Sequence, residues 1–117
     1  MDKKTSEYIR DFNSFVRSIL KEYNSYFTIV GNCDKETQDY LHQIELGEYK
    51  DRGKTATALH NCRIKRREAK DCLEILQPIK DWIDRNQGAV NTLNTTLGAV
   101  RNKERNSPQV LLSPYRR

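Results

Sequence analysis

An apolar repeat in residues 6–27 sets the strongest limit on what this chain can fold into. Apolar side chains recur there mostly at intervals of three and four residues, the spacing that places them on one face of an α-helix. They are Ile9, Phe12, Val16, Ile19, Leu20, Tyr23 and Phe27. Because Tyr8, Phe15 and Tyr26 widen this face, we expect it to contact two neighbouring helices or a second subunit.

The rest of the chain predicts further helices separated by turn residues. Residues 28–32 combine β-branched side chains with Gly31-Asn32 and predict a break, after which Asp34 is a suitable N-cap for a second helix over 35–46. A third helix is predicted from about residue 49 to 76, and Pro78 should stop or kink it. A fourth runs from Ile79 to about Glu104, with Gly88 as a candidate interruption.

The predicted fold is all-α, a bundle of about four helices with long antiparallel helices. Residues 1–105 form the helical domain, and residues 106–117, which contain Pro108 and Pro114, form an extended basic C-terminal arm. The arm contains a run of apolar residues, 110–112, which we expect to dock on the protein surface. With five Gly and three Pro in 117 residues, a turn-rich β-sandwich is excluded.

The sequence does not support a membrane protein, a metal-binding protein or an enzyme. No run approaches the ~20 apolar residues of a membrane span, and the N-terminal residues lack the apolar region of a signal peptide. His60 and Cys62 point apart on a helix, and no Cys-x-x-Cys pair or Gly-rich phosphate loop is present. We therefore expect a cytoplasmic, non-enzymatic protein with no metal and no cofactor.

The basic residues are concentrated in two segments. Residues 50–70 carry eight Lys/Arg against two acids, and residues 101–117 carry five against one. The remaining residues therefore have an acidic balance, since the whole chain carries a net charge of only +5. Clustered bases on an otherwise acidic chain indicate an anionic partner, such as a nucleotide, a nucleic acid or an acidic protein surface. The alternative is a pair of solvated helix faces that keep the protein soluble.

Arg66 is the sharpest anomaly, because its predicted position interrupts the apolar line between Cys62 and Ala69. A guanidinium there must be paired, face a ligand, or extend to solvent. Glu36, Asp39 and Glu45 are candidate salt-bridge partners. If Arg66 instead contacts a ligand, Arg66→Ala should weaken binding at least tenfold while leaving the fold intact.

A candidate ligand site follows from the same helical positions. Arg63 and Lys70 line the edge of the apolar line, while Arg101 and Asn94 lie near the inward stripe of the last helix. In the arm, an aromatic ring could stack on a base and an Arg could clamp phosphate. The predicted ligand-binding residues are Arg63, Arg66, Arg67, Lys70, Asn94, Arg101, Tyr115 and Arg116.

Several short motifs resemble a family of small uncharacterised proteins encoded by bacteriophages and prophages of Gram-positive bacteria. The matching residues are Thr37-Gln38-Asp39, Leu41-His42, Glu45-Leu46, Arg63, Arg66-Arg67, Lys70-Asp71 and Leu97-Gly98 with Arg101. The end of the chain, residues 113–117, fits the family pattern loosely. The resemblance implies a phage setting, in which small accessory proteins often counter host defence, and it implies no particular activity.

Two functions are compatible with these features. The first is a homo-oligomer that sequesters an anionic nucleotide immune signal through Arg and Lys residues between helices. The second is a protein that docks its basic surface on nucleic acid or on the nucleic-acid groove of a host defence nuclease. A concave site that joins Arg66 and Arg101 would favour the first, and one exposed basic stripe would favour the second.

Overall fold

Three helices account for nearly all of the chain that the structure describes, which is residues 3–47 and 51–107 of a computed structural model. They are α1 (Thr5–Leu46), α2 (Arg52–Arg85) and α3 (Gln87–Arg105). The predicted all-α class is therefore confirmed, whereas the division into about four helices is not. Of the predicted arm, residues 108–117 lie outside the described residues, and so do the apolar run 110–112, Tyr115 and Arg116.

The predicted break at residues 28–32 is absent, and α1 continues through it to Leu46. The reason is that the buried face continues: Val30 is half-buried and Cys33 is only 2% exposed. Gly31 lies on the exposed side of the helix, where an added methyl group would contact nothing within 4 Å. The helix tolerates the conformational cost of one glycine, about 1 kcal/mol, and the predicted second helix is the C-terminal part of α1.

The second predicted boundary also differs, because α2 passes through Pro78 and ends at Arg85. Pro78 is exposed, and Ile83, one turn and a half further on, is completely buried. Burial of Ile83 offsets the hydrogen bond that proline removes from the helix. The chain interrupts the helix at Asn86 instead, whose side-chain amide donates to the Trp82 carbonyl at 2.8 Å. Gly88 lies inside α3.

A seven-residue repeat unites the covered positions of α1. All of its members are buried or half-buried, and they alternate at spacings of three and four residues, as in a coiled coil. One set comprises Ile9, Val16, Tyr23, Val30, Thr37 and Ile44, and the other comprises Phe12, Ile19, Tyr26, Cys33 and Tyr40. We refer to these as a and d positions, respectively.

The same repeat is present in α2 and determines how the two helices pair. Its half-buried a positions are Leu59, Arg66, Leu73 and Lys80, and its d positions are Thr55, Cys62, Ala69, Leu76 and Ile83. Within the compact unit Leu20–Lys80, here called the hairpin unit, Thr37 lies against Cys62 and Tyr23 donates to Gln77 at 3.0 Å. Tyr23 lies fourteen residues before Thr37 on α1, and Gln77 lies fifteen residues after Cys62 on α2. The two helices therefore run antiparallel, and their register is nearly the same at both contacts.

The second compact unit comprises Met1–Ile19 and Asp81–Arg117, and we call it the terminal unit. Its buried apolar side chains come from all three helices and are Val16, Ile83 and Val90. The Phe12 and Trp82 rings meet edge to face with centroids 6.4 Å apart. None of the helices within residues 3–47 and 51–107 is long and apolar enough to cross a membrane.

Candidate anion-binding surface

Arg66 lies at an a position of α2 and is held by an acid from α1. Its Nε atom donates to Asp34 Oδ1 at 2.6 Å, with both side chains partly exposed. This is the interhelical salt bridge considered for Arg66, with Asp34 rather than Glu36, Asp39 or Glu45 as the partner. Asp34 was expected to cap a helix, a role that the continuous α1 removes. A partly exposed pair contributes little stability, and a charged a position favours a single register.

Three further basic residues on α2 are exposed. Arg63, Arg67 and Lys70 follow one another at spacings of four and three residues, so they form one row along the helix. None of them forms an ion pair with another residue of the part of the chain that the structure describes. Their cationic groups are therefore available to an external anion.

The predicted α3 residues lie on the outside of that helix. Its covered side consists of Val90, which is buried, and half-buried residues that follow at spacings of three and four: Leu93, Leu97, Val100 and Glu104. This confirms the predicted apolar stripe. Asn94 and Arg101 are both exposed, so the expected inward position of Arg101 is wrong. The cause is that Val90 lies at one edge of the stripe, and Arg101 lies just beyond that edge on the helix surface.

Arg101 has a carboxylate neighbour one turn further along α3. The Glu104 carboxylate accepts the backbone N–H of Ser6 at 3.1 Å, in the first turn of α1. This hydrogen bond lowers the pKa of Glu104, and the positive charges of Lys4 and Arg101 lower it further, while partial burial opposes them. Glu104 therefore satisfies one of the free N–H groups at the start of α1 with a full negative charge.

The structure brings four of the predicted ligand-binding residues together on one stretch of α2. Arg63, Arg66, Arg67 and Lys70 all belong to the hairpin unit. Asn94 and Arg101 belong to the terminal unit, and Tyr115 and Arg116 lie outside the described residues. Convergence of all eight residues on one ligand stays a prediction.

Two polar residues that join α1 and α2 in the hairpin unit escaped the sequence reasoning. Asp34 is the partner of Arg66, and Lys80 is the next basic residue at an a position, two repeats after Arg66. The Lys80 ammonium lies 5.1 Å from the centre of the Tyr23 ring, within cation–π range. The spacing of fourteen residues between Arg66 and Lys80, which is two seven-residue repeats, could have shown that both occupy the same position of the repeat.

Comparisons with known proteins add no assignment. No protein-family model, no curated protein and no solved structure matches the chain. The resemblance to phage proteins therefore stays a prediction. Within residues 3–47 and 51–107, no group of three or more His, Cys, Asp or Glu side chains is arranged to hold a metal ion.

Proposed function

We propose that this chain is a non-enzymatic helical protein that binds nucleic acid through the basic row Arg63, Arg67 and Lys70. The observation that carries the proposal is the exposure of this row on the α2 helix. Arg63 and Arg67 are four residues apart, which is about 6 Å along the helix axis. A flexible phosphate backbone can present successive charges at such a separation, so one strand can engage the row.

Arg66 makes a small-nucleotide pocket the less favoured alternative. Sequestering a nucleotide requires Arg66 to point at a ligand, but its guanidinium is engaged by Asp34. Arg101 is exposed and influences the Glu104 carboxylate. An extended polyanion needs no enclosed pocket, because it gains most of its affinity from phosphate contacts and counterion release.

The decisive test is the triple variant Arg63→Gln/Arg67→Gln/Lys70→Gln. We expect its affinity for a 30-nucleotide single strand to fall at least tenfold at 0.1 M salt, measured by fluorescence anisotropy. The salt dependence of log K should become shallower, by about 0.7 for each phosphate that the variant no longer neutralises.

A matched control removes the same charge from exposed positions of α1. The triple variant Arg10→Gln/Arg17→Gln/Lys21→Gln should bind within threefold of the wild type, since those side chains lie outside the basic row. Equal losses in the two variants would show that net charge alone governs binding and would contradict the proposal. The sequestration function would be favoured instead if the wild type bound nucleotides and Arg66→Ala lost at least tenfold in nucleotide affinity. The circular dichroism spectrum of Arg66→Ala would have to match that of the wild type.

We also propose that the protein forms a homo-oligomer through the exposed apolar side chains Phe27 and Leu41 of α1. In the terminal unit, Ser6 and Asn13 lie one repeat apart and are both buried. In the hairpin unit, the same repeat position is occupied by Phe27, which is 61% exposed, and by the exposed Leu41. Two large apolar side chains on one exposed face support a contact between copies.

Light scattering coupled to size exclusion tests this contact. The wild type should give at least twice the chain mass of 13.8 kDa at micromolar concentration. Phe27→Ser/Leu41→Ser should reduce that mass, whereas Leu46→Ser, which changes an exposed residue at the end of α1, should leave it unchanged. A wild-type mass of one chain would contradict the proposal.

A further inference from the structure

Two buried cysteines face each other across the pair of helices in the hairpin unit. Cys33 on α1 and Cys62 on α2 are 2% and 6% exposed, and both occupy d positions of the seven-residue repeat. The Cys62 thiol donates to the Cys33 carbonyl oxygen at 3.4 Å. The Cys62 sulfur therefore lies directly against the backbone of the residue that carries the other thiol.

The surroundings of Cys62 favour the protonated form of its thiol. Cys62 Sγ lies 3.5 Å from Glu36 Oε2 and 3.9 Å from Thr37 Oγ1. Burial raises the pKa of the Cys62 thiol; Thr37 partly opposes this, while Cys33 and Glu36 add to it. A thiol of this kind reacts slowly with external reagents, but a neighbouring thiol competes well for any oxidised sulfur that forms.

We propose that Cys33 and Cys62 form an intramolecular disulfide when the protein meets a peroxide. In the first step the Cys62 thiolate attacks one peroxide oxygen, the O–O bond breaks, and hydroxide leaves with a proton as water, which gives a sulfenic acid. The Cys33 thiolate then attacks the Cys62 sulfur. The S–O bond breaks and a second water leaves, so two thiols are oxidised and one hydrogen peroxide is reduced.

The third cysteine cannot take the place of either partner. Cys72 is ten residues from Cys62 on the same helix, which is about 15 Å along the axis. Its thiol interacts with Tyr26, seven residues before Cys33 and so about 10 Å from it along α1. The separation of Cys72 from Cys62 exceeds the ~7 Å that a disulfide can span between Cα atoms, and the contact with Tyr26 places Cys72 about two turns of α1 away from the level of Cys33.

The experiment treats the full-length Cys72→Ser protein with hydrogen peroxide at pH 8, quenches it with an alkylating reagent, and maps tryptic peptides without reduction. We expect the peptides of Cys33 and Cys62 to be joined, at a mass two hydrogens below their sum. The cross-linked protein should also unfold at a higher denaturant concentration than its reduced form, because the link restricts the unfolded chain.

The controls distinguish a specific pair from general thiol oxidation. Cys33→Ala, which retains Cys62 and Cys72, should give no intramolecular link under the same treatment, and its helical circular dichroism should match that of the wild type. The proposal is overturned if Cys33 and Cys62 remain separately alkylated after peroxide treatment. Links between Cys72 and either partner in the wild type would also overturn it.

Discussion

Replacing Ile83 with alanine is expected to lower the free energy of unfolding by about 2–5 kcal/mol. Ile83 is completely buried in the terminal unit, at a d position of α2. Truncation removes apolar contact and leaves a cavity where helices pack. Urea unfolding followed by circular dichroism measures the change, provided that the slope with denaturant stays constant.

Ile75→Ala is the matched control for this prediction. It makes the same chemical change on the same helix, but Ile75 is 78% exposed, so we expect a change below about 0.5 kcal/mol. Equal losses for the two variants would show that Ile83 is not a core residue or that Ile75 is covered in the assembled protein. The concentration dependence of unfolding distinguishes these two cases.

Two substitutions at Gly31 should change the free energy of unfolding in opposite directions. Gly31→Ala should stabilise the protein by about 0.5–1 kcal/mol, because alanine restricts the unfolded chain and the added methyl group meets no atom within 4 Å. Gly31→Pro should cost about 3 kcal/mol or more, since proline removes a helical hydrogen bond in the middle of α1. Denaturant midpoints of the two variants provide the measurement.

Gly47 offers the control for the alanine substitution. A methyl group there would lie 2.5 Å from the Gln43 carbonyl oxygen, where something has to shift. Gly47→Ala should therefore destabilise the end of α1, in contrast to Gly31→Ala. If residues 28–32 formed the turn that their composition suggests, Gly31→Ala would be destabilising and Gly31→Pro would be tolerated.

The helices themselves could be predicted from the sequence, and their boundaries could not. Periodic apolar residues indicate a helix wherever they occur, so the all-α class and the covered side of α3 follow directly. Gly31 and Pro78 are local signals, with costs of about 1 kcal/mol for the glycine and about 3 kcal/mol for the proline. Burial of Cys33 and Ile83 outweighs them, and that contribution exists only once two helices have paired.

Only part of the candidate site could be predicted from the sequence. The position of Arg66 in the seam between α1 and α2 follows from its spacing to Cys62 and Ala69. Its partner could not be found, because assigning Asp34 to a helix start removed it from the set of interhelical acids. The inward position expected for Arg101 was wrong because Val90 lies at one edge of the covered stripe of α3 and Arg101 lies just beyond that edge.

The antiparallel pairing of α1 and α2 also has a consequence for the order in which the chain folds. The contact between Cys62 and Cys33 joins residues 29 apart in sequence, that between Tyr23 and Gln77 joins residues 54 apart, and that between Ser6 and Glu104 joins residues 98 apart. Forming the last contact directly from the unfolded chain costs about 1 kcal/mol more loop entropy than forming the first. Folding that starts near the link between the two helices and proceeds outward divides this entropy cost into small steps. The backbone amide protons near Cys33 should therefore become protected from hydrogen exchange earlier than the amide proton of Ser6.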